Sequence, residues 1–382
     1  MKKILFLLSI ILLINISCSS NDKKKKKQEP FKLPKIEQVG SFKKLWSKKL
    51  SGGKKLDGYK LIPSIDGNSL FVADIEGNVL KVDAETGKTL WHTELSLELS
   101  AGPGVGDDSI VVGTTEGQAI AMNKETGAQT WTVKLSSEII SPPVLDNQLA
   151  IIRTQDGKIY ALNTQNGQRE WFFDTNIPNL TLRGNSKPIV KAGRVYIGFD
   201  NGKVAAIKQE TGEVIWLQNV VDAKGKTELT RIVDIDGDMA LIATDLYLSS
   251  AVGKSIAVAT ESGRVMWSKD TGSAVGVTAS RSNLFVVDTK SNIHALNRED
   301  GSDQWHTTEF TYRQLTKPAY YLGDLVVGDF DGYIHVINGD DGTMLARTRM
   351  GKRSFYSAPV VSASMLVAYN KDGTLTAFEY SR

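Results

Sequence analysis

Cysteine is almost missing from these 382 residues: the single one is Cys18. A chain body without cysteine has no disulfide framework and no thiolate for catalysis or metal binding. Histidine is scarce as well. His92, His294, His306 and His335 are scattered, and no His/Asp/Glu cluster has metal-ligand spacing. Neither a Gly-x-Ser-x-Gly elbow nor a phosphate-binding P-loop is present. The longest apolar run, Ile4 to Ile14, falls well short of the ~20 residues that a membrane-spanning helix needs. No stretch keeps a helical period of 3.6.

The front of the chain differs from the rest. Lys2 and Lys3 followed by the short apolar run read as a secretion signal over residues 1–17. The segment Asn15-Ile16-Ser17-Cys18 resembles a bacterial lipobox, which implies a lipidated Cys18; Ser19 after it implies sorting to the outer membrane. Several acyl chains at ~0.8 kcal/mol per buried CH₂ anchor stably. Residues 18–41 read as the lipidated Cys and a flexible tether, with Lys23 to Lys27 in a row, Pro30 and Pro34. The Lys run reads as a solvated spacer, though it could touch anionic headgroups. The formal charge is +3. The signal carries two positive charges and residues 19–45 a net six, so the body from Trp46 onward is mildly acidic. Without a basic stripe, nucleic acid is not expected as a partner.

What is abundant is one short repeat. ETGKTLW ends at Trp91, ETGAQTW at Trp131, QNGQREW at Trp171, ETGEVIW at Trp216, ESGRVMW at Trp267 and EDGSDQW at Trp305. DDGTMLA keeps the frame but ends at Ala346. A first-strand marker recurs at Pro63, Pro103, Pro143, Pro188, Met239, Val277, Pro318 and Pro359. A turn residue follows each at a constant spacing: Gly77, Gly117, Gly157, Gly202, Gly253, Ser291, Gly332 and Gly373. The Trp slot follows at the same spacing again. Apolar, β-branched runs separate these turns, so each unit reads as four short antiparallel strands. Most units place a small residue in the third strand, as at Ala121, Ala161, Ala206, Ala257 and Ala295. Small residues let neighbouring sheets approach, and the Trp can cover the gap. The expected fold is all-β: an eight-bladed β-propeller over residues 42–382.

The eighth unit ends at Arg382, before its Trp slot. Trp46 lies at the front of the chain with no Thr-Gly before it. The strand around Phe42 to Lys49 is therefore expected to complete the last blade and remove open sheet edges. Trp46, Trp91, Trp131, Trp171, Trp216, Trp267 and Trp305 are expected to dock blade on blade. Length varies only between each Trp slot and the next marker. The long connections 172–187 and 217–238 are neighbours on one face, and loops on a rigid scaffold are where function concentrates.

The repeat Ala-x-Asn-x-x-Thr-Gly-x-x-x-Trp, as in Ala121 to Trp131, resembles the propeller of pyrroloquinoline-quinone dehydrogenases, which would imply an enzyme. That family carries a vicinal Cys pair, and this body has no Cys. The repeat, lipobox, tether and closing strand together resemble the BamB family of propeller lipoproteins over the whole mature chain. Asn179-Leu180-Thr181-Leu182-Arg183-Gly184 matches its Leu-x-Leu-Arg segment, and Ile232-Val233-Asp234-Ile235-Asp236 its paired-Asp segment. The resemblance implies a non-enzymatic scaffold of the outer-membrane β-barrel assembly (BAM) complex, without a cofactor or metal. It places the protein at the outer membrane facing the periplasm. It assigns Leu180, Leu182, Arg183, Asp234 and Asp236 to docking on the periplasmic domains of BamA, with other BAM lipoproteins reached indirectly and unfolded outer-membrane proteins as further clients. The same residues could instead fold back onto the blades or satisfy turn amides. A general propeller binding module that adds client strands at a sheet edge is the third reading. His294 and His335 read as packed or surface imidazoles, and Asp329-Phe330-Asp331-Gly332 as an ordinary turn.

Overall fold

A computed structural model describes residues 28–50, 59–174, 186–221, 235, 237–251, 253–362 and 364–382. These hold 32 strands in eight four-stranded antiparallel sheets, with no helix among the described residues. The second blade is representative. Its strands are Leu99–Val105, Ser109–Thr114, Gln118–Asn123 and Gln129–Lys134, adjacent in that order. The middle strands are buried almost end to end, whereas the outermost alternates between exposed and buried. That contrast follows from the ring, in which a middle strand has a neighbouring blade on both faces. Continuous runs such as Ile110-Val111-Val112 and Ala119-Ile120-Ala121-Met122 suit such a place.

The small residue and the Trp of each repeat turn out to be cross-strand partners. Ala121 faces Trp131, Ala161 faces Trp171 and Ala206 faces Trp216. Immediately after each pair the register slips by one residue, as a β-bulge, between Ala121 and Met122 in the second blade. The tryptophans then reach the next blade. Trp131 Nε1 donates to the Thr164 carbonyl at 2.8 Å, Trp91 to Lys124 at 3.1 Å, Trp171 to Gln209 at 2.8 Å and Trp216 to Thr260 at 2.8 Å. Trp267 donates to Arg298 at 2.9 Å and Trp305 to Gly339 at 3.1 Å. Each indole also covers the Gly of the turn it docks on. Gly127 sits at φ +71°, and a Cβ there would lie 2.6 Å from the Trp91 ring. Both the backbone conformation and the close approach demand glycine. The turn is pre-shaped by Asn123, whose Oδ1 accepts from the amides of Glu125 and Thr126 and from the Thr126 hydroxyl. Asn-x-x-Thr-Gly and Trp are therefore two halves of one contact, a socket on one blade and a plug on the previous one.

The ring closes through its two ends. The eighth blade orders Val360–Val361, Leu366–Tyr369, Thr374–Ser381 and then Ser41–Lys49 from the front of the chain. Ser41 pairs with Ser381 and Lys49 with Thr374. Trp46 faces Ala377 beside the same kind of bulge and donates to the Ala84 carbonyl of blade one at 2.8 Å. It fills the Trp slot that the C-terminal part of the eighth unit lacks. The preceding residues, within the stretch read as tether, run along blade seven. Phe31 N–H donates to the Thr311 carbonyl at 2.9 Å, Arg347 to the Pro34 carbonyl at 2.9 Å and Val39 N–H to the Leu345 carbonyl at 2.9 Å.

Candidate functional site

The connections that vary in length run from the outer strand of one blade to the inner strand of the next. In an up-and-down blade this places them all on one face, together with the turns between the second and third strands. The expected docking residues Leu180, Leu182, Arg183, Asp234 and Asp236 lie outside the described residues, as does Cys18. The structure does describe how the two long connections are held at their bases.

The end of the first is tied down by Arg153. This side chain is 1% exposed, donates to the Ser186 carbonyl at 3.2 Å and to Asp200 Oδ1 at 2.6 Å, and Asp200 is 2% exposed. Arg153 belongs to blade three and Asp200 to blade four, so the pair joins two blades beneath the connection. Removing one partner of such a pair leaves a buried charge, which costs on the order of 3–5 kcal/mol. The second connection is held by Ile235, fully buried between the positions of Asp234 and Asp236. A Cβ at Gly198 would lie 2.6 Å from the Ile235 side chain, so glycine at that strand end makes room for it. Two large apolar side chains stand exposed on the outer strands leading into these connections: Phe172 at 51% and Leu217 at 43%.

Four charged residues from distant parts of the chain converge beside the same bases. Lys60 Nζ lies 2.9 Å from Asp238 Oδ1, and Lys317 Nζ lies 3.4 Å from Asp238 Oδ2. The Lys187 amide approaches Asp238 Oδ1 at 3.5 Å. These residues enter from blades one, four, five and seven, and only the propeller axis is common to all of them. Burial opposes the charge on Asp238, but Lys60 and Lys317 outweigh it and hold the carboxyl well below the usual range. Burial pushes the Lys187 ammonium down; Asp238 resists, while Lys317 and Lys60 add to the depression. The repeat frame contained a signal for this cluster. Lys187, Asp238 and Lys317 directly precede the markers Pro188, Met239 and Pro318, where other blades carry Ile62, Gly102, Pro142, Gly276 and Ala358.

Three of the four histidines have acidic or amide partners, and His306 stacks on His294 with ring centroids 6.0 Å apart. His335 is fully buried with Nε2 2.9 Å from Asp329 Oδ2, His294 Nε2 is 3.1 Å from Asp288 Oδ2, and His92 Nε2 is 2.8 Å from Asn78 Oδ1. Asp329 does close its turn, with Oδ1 accepting from the Asp331 and Tyr333 amides at 2.9 and 3.0 Å. Its other oxygen does something the sequence did not reveal: Oδ2 binds Arg313 at 2.6 Å as well as His335. Among the described residues no group of three or more His, Cys, Asp or Glu is placed to hold a metal ion. No helix among them is long and apolar enough to cross a membrane.

Known proteins share this architecture and much of this sequence. The profile of a family described as outer membrane protein assembly factor BamB matches residues 40–99 and 75–307. The chain is 42% identical over 373 residues to the assembly factor BamB of Pseudomonas aeruginosa, covering 97% of each chain. It is 47% identical over 348 residues to that of Alkalilimnicola ehrlichii, covering 90% of this chain and 91% of the other. The crystal structure of BamB from Moraxella catarrhalis superposes with a TM-score of 0.82 at 27% identity, covering 89% of this chain and all of the other. With the eight blades, the Trp-to-turn docking and two long connections on one face, these similarities establish that the chain belongs to the BamB family of outer membrane protein assembly factors.

Proposed function

We propose that the protein is a non-enzymatic scaffold lipoprotein of the BAM complex, anchored through Cys18 in the outer membrane and facing the periplasm. In this reading it docks on the periplasmic domains of BamA through the connections 172–187 and 217–238 and aids the folding and insertion of outer-membrane proteins. Other BAM lipoproteins are reached through BamA, and unfolded clients are a further partner. The observation that carries the reading is the anchoring of the described residues of both connections on adjacent blades: Arg153 ties Ser186 at the end of one to Asp200, and Ile235 of the other packs against Gly198. A loop held at its base loses less entropy on binding than a free one. Leu180 and Leu182 would serve as apolar anchors, Arg183 as a planar donor fork, and Asp234 and Asp236 as complementary charge. Exposed Phe172 and Leu217 extend the apolar character toward the outer rim.

The test is co-purification of BamA from outer membranes with Arg183→Glu and with Leu182→Asp. Each is expected to abolish recovery of BamA while the purified variant keeps the wild-type melting profile. Undiminished recovery by a folded variant would remove these residues from the docking surface.

A further inference from the structure

The stretch read as tether does not hang free over its whole length. From residue 28 onward it is a strap seated on blade seven, and two arginines grip its backbone. Arg313 Nη1 donates to the Phe31 carbonyl at 3.0 Å, while Nε and Nη2 are committed to Asp329 and Asp331. The Arg313 side chain is 5% exposed and lies over the Phe330 ring, so the group that holds the strap is itself fixed. Arg347 Nη2 donates to the Pro34 carbonyl at 2.9 Å, and its amide to Gln38 Oε1 at 3.4 Å. The strap's own amides at Phe31 and Val39 donate to the carbonyls of Thr311 and Leu345.

This path crosses the disc from one face to the other. The closing strand begins at Ser41 beside Ser381, where the third strand of blade eight ends. Third strands end on the face of the Trp-docking turns, opposite the long connections. Thr311 and Arg313 lie between the strands Asp303–Thr307 and Ala319–Tyr321, in the connection from blade six to blade seven. That connection shares its face with 172–187 and 217–238. Gln28 and Pro30 then reach the wall of a cavity beside Tyr312, which blades one, six and eight also line through Ile62, Thr278 and Val361. Only the propeller axis is common to these blades. The strap thus carries the front of the chain to the connection face, near its centre.

We propose that residues 28–40 are an orienting strap that turns the connection face toward the lipid surface. The proposal rests on the lipid anchor read at Cys18, and not on docking to BamA. Were the strap undocked, the chain from Cys18 to Ser41 would reach roughly 80 Å from the opposite face, at ~3.3–3.6 Å per residue. Such a leash lets either face turn to the membrane. With the strap seated, the chain from Cys18 to Gln28 reaches about 35 Å at most, and it starts on the connection face. A short leash fixed to one face confines the disc as a short linker confines a tethered module. The two long connections are then presented on the membrane side.

The experiment reconstitutes the full lipoprotein into vesicles of phosphatidylethanolamine and phosphatidylglycerol that carry an acceptor-labelled lipid. The body has no cysteine, so one donor dye can be placed at a time. Glu116→Cys puts it in an exposed turn on the connection face of blade two, and Asp107→Cys in an exposed turn on the opposite face of the same blade. Energy transfer to the lipid is expected to be higher from Glu116→Cys. Exchanging residues 28–39 for a Gly/Ser chain of equal length is expected to abolish that difference, and Arg347→Ala, a milder break, to narrow it. Equal transfer from both positions in vesicle-bound protein with the native strap, or a difference that survives both strap variants, would overturn the proposal and leave the anchor standing. If the wild-type protein failed to float with the vesicles, as the Cys18→Ser control should, the anchor would fall and the proposal with it.

Discussion

Seven of the eight blade junctions carry a tryptophan, and the junction between blades seven and eight carries Ala346 instead. The difference lies in the receiving side. In seven cases the next blade offers a glycine turn between its third and fourth strands, opened by an Asx in five of them and by Lys208 and Ala259 in blades four and five, with a backbone carbonyl for the indole N–H and a glycine beneath the ring. In blade eight the third strand is the C-terminal one and the fourth comes from the front of the chain, so no such turn exists there. A Trp on blade seven would have no socket. Apolar packing fills the place: Ala346 is buried in a cluster with Tyr321, Leu345, Phe378 and Tyr380, and Phe42 packs against it. The plug disappears where the chain cannot build its socket, which marks the Trp as a docking device and not a general β-propeller requirement.

Breaking a plug should have the largest effect. Trp131→Ala removes a buried indole and its 2.8 Å bond to blade three, and is expected to cost roughly 3–5 kcal/mol in denaturant unfolding. Breaking the socket from the other side should cost somewhat less. Gly127→Val places a β-branched side chain at φ +71° against the Trp91 ring, with an expected loss of on the order of 2–3 kcal/mol. If Gly127→Val were neutral, the pairing of turn and indole would be incidental. Installing a plug without a socket is the converse test. Ala346→Trp should overpack a filled cluster and cost about 1–3 kcal/mol rather than stabilise the ring; a gain in melting temperature would contradict the comparison.

The sequence made the plug and socket visible because both recur at fixed spacing, and recurrence exposes a rule without any structure. Trp46 was recognisable as the displaced member for the same reason. The closing partner of Ala346 was less legible, since packing among Phe42, Phe378 and Tyr380 follows no repeat. The loop bases were harder still. Arg153 and Asp200 belong to different units and pair only because the ring sets blades three and four side by side. Lys187, Asp238 and Lys317 broke the pattern at one frame position, yet only the axis explains why such remote charges meet. What one unit repeats was readable; what several units share at a single place needed the fold.

Blade seven, which lacks the plug, also holds a fully buried imidazole, and pH separates it from the others. His335 is fully buried and binds Asp329, which Arg313 also grips. Burial keeps the imidazole neutral against the pull of Asp329, with Arg347 and Arg313 adding to the downward shift. The unfolded imidazole titrates near ~6.5. With the folded value lower, the unfolded state binds more protons, so this contribution is complete above ~6.5 and is lost as pH falls below it. Unfolding free energy should therefore decline from pH 7 toward 5, and His335→Gln should flatten that slope while Trp131→Ala leaves it intact. Equal slopes in all three proteins would remove His335 as the cause.

The smallest effect is expected on the closing strand itself. Lys43 and Glu379 form a 3.1 Å ion pair across it, but their side chains are 75% and 50% exposed. Solvent screening and the entropy of two long side chains leave such a pair worth about 0–1 kcal/mol. Lys43→Ala should thus shift the unfolding midpoint hardly at all. Trp46→Ala, three residues further along the same strand, should approach the loss seen for Trp131→Ala, because its indole plugs the Gly87 turn of blade one and binds the Ala84 carbonyl. The two substitutions leave the strand's backbone ladder unchanged. A large loss for Lys43→Ala with a small one for Trp46→Ala would mean that charge, and not the plug, closes the ring.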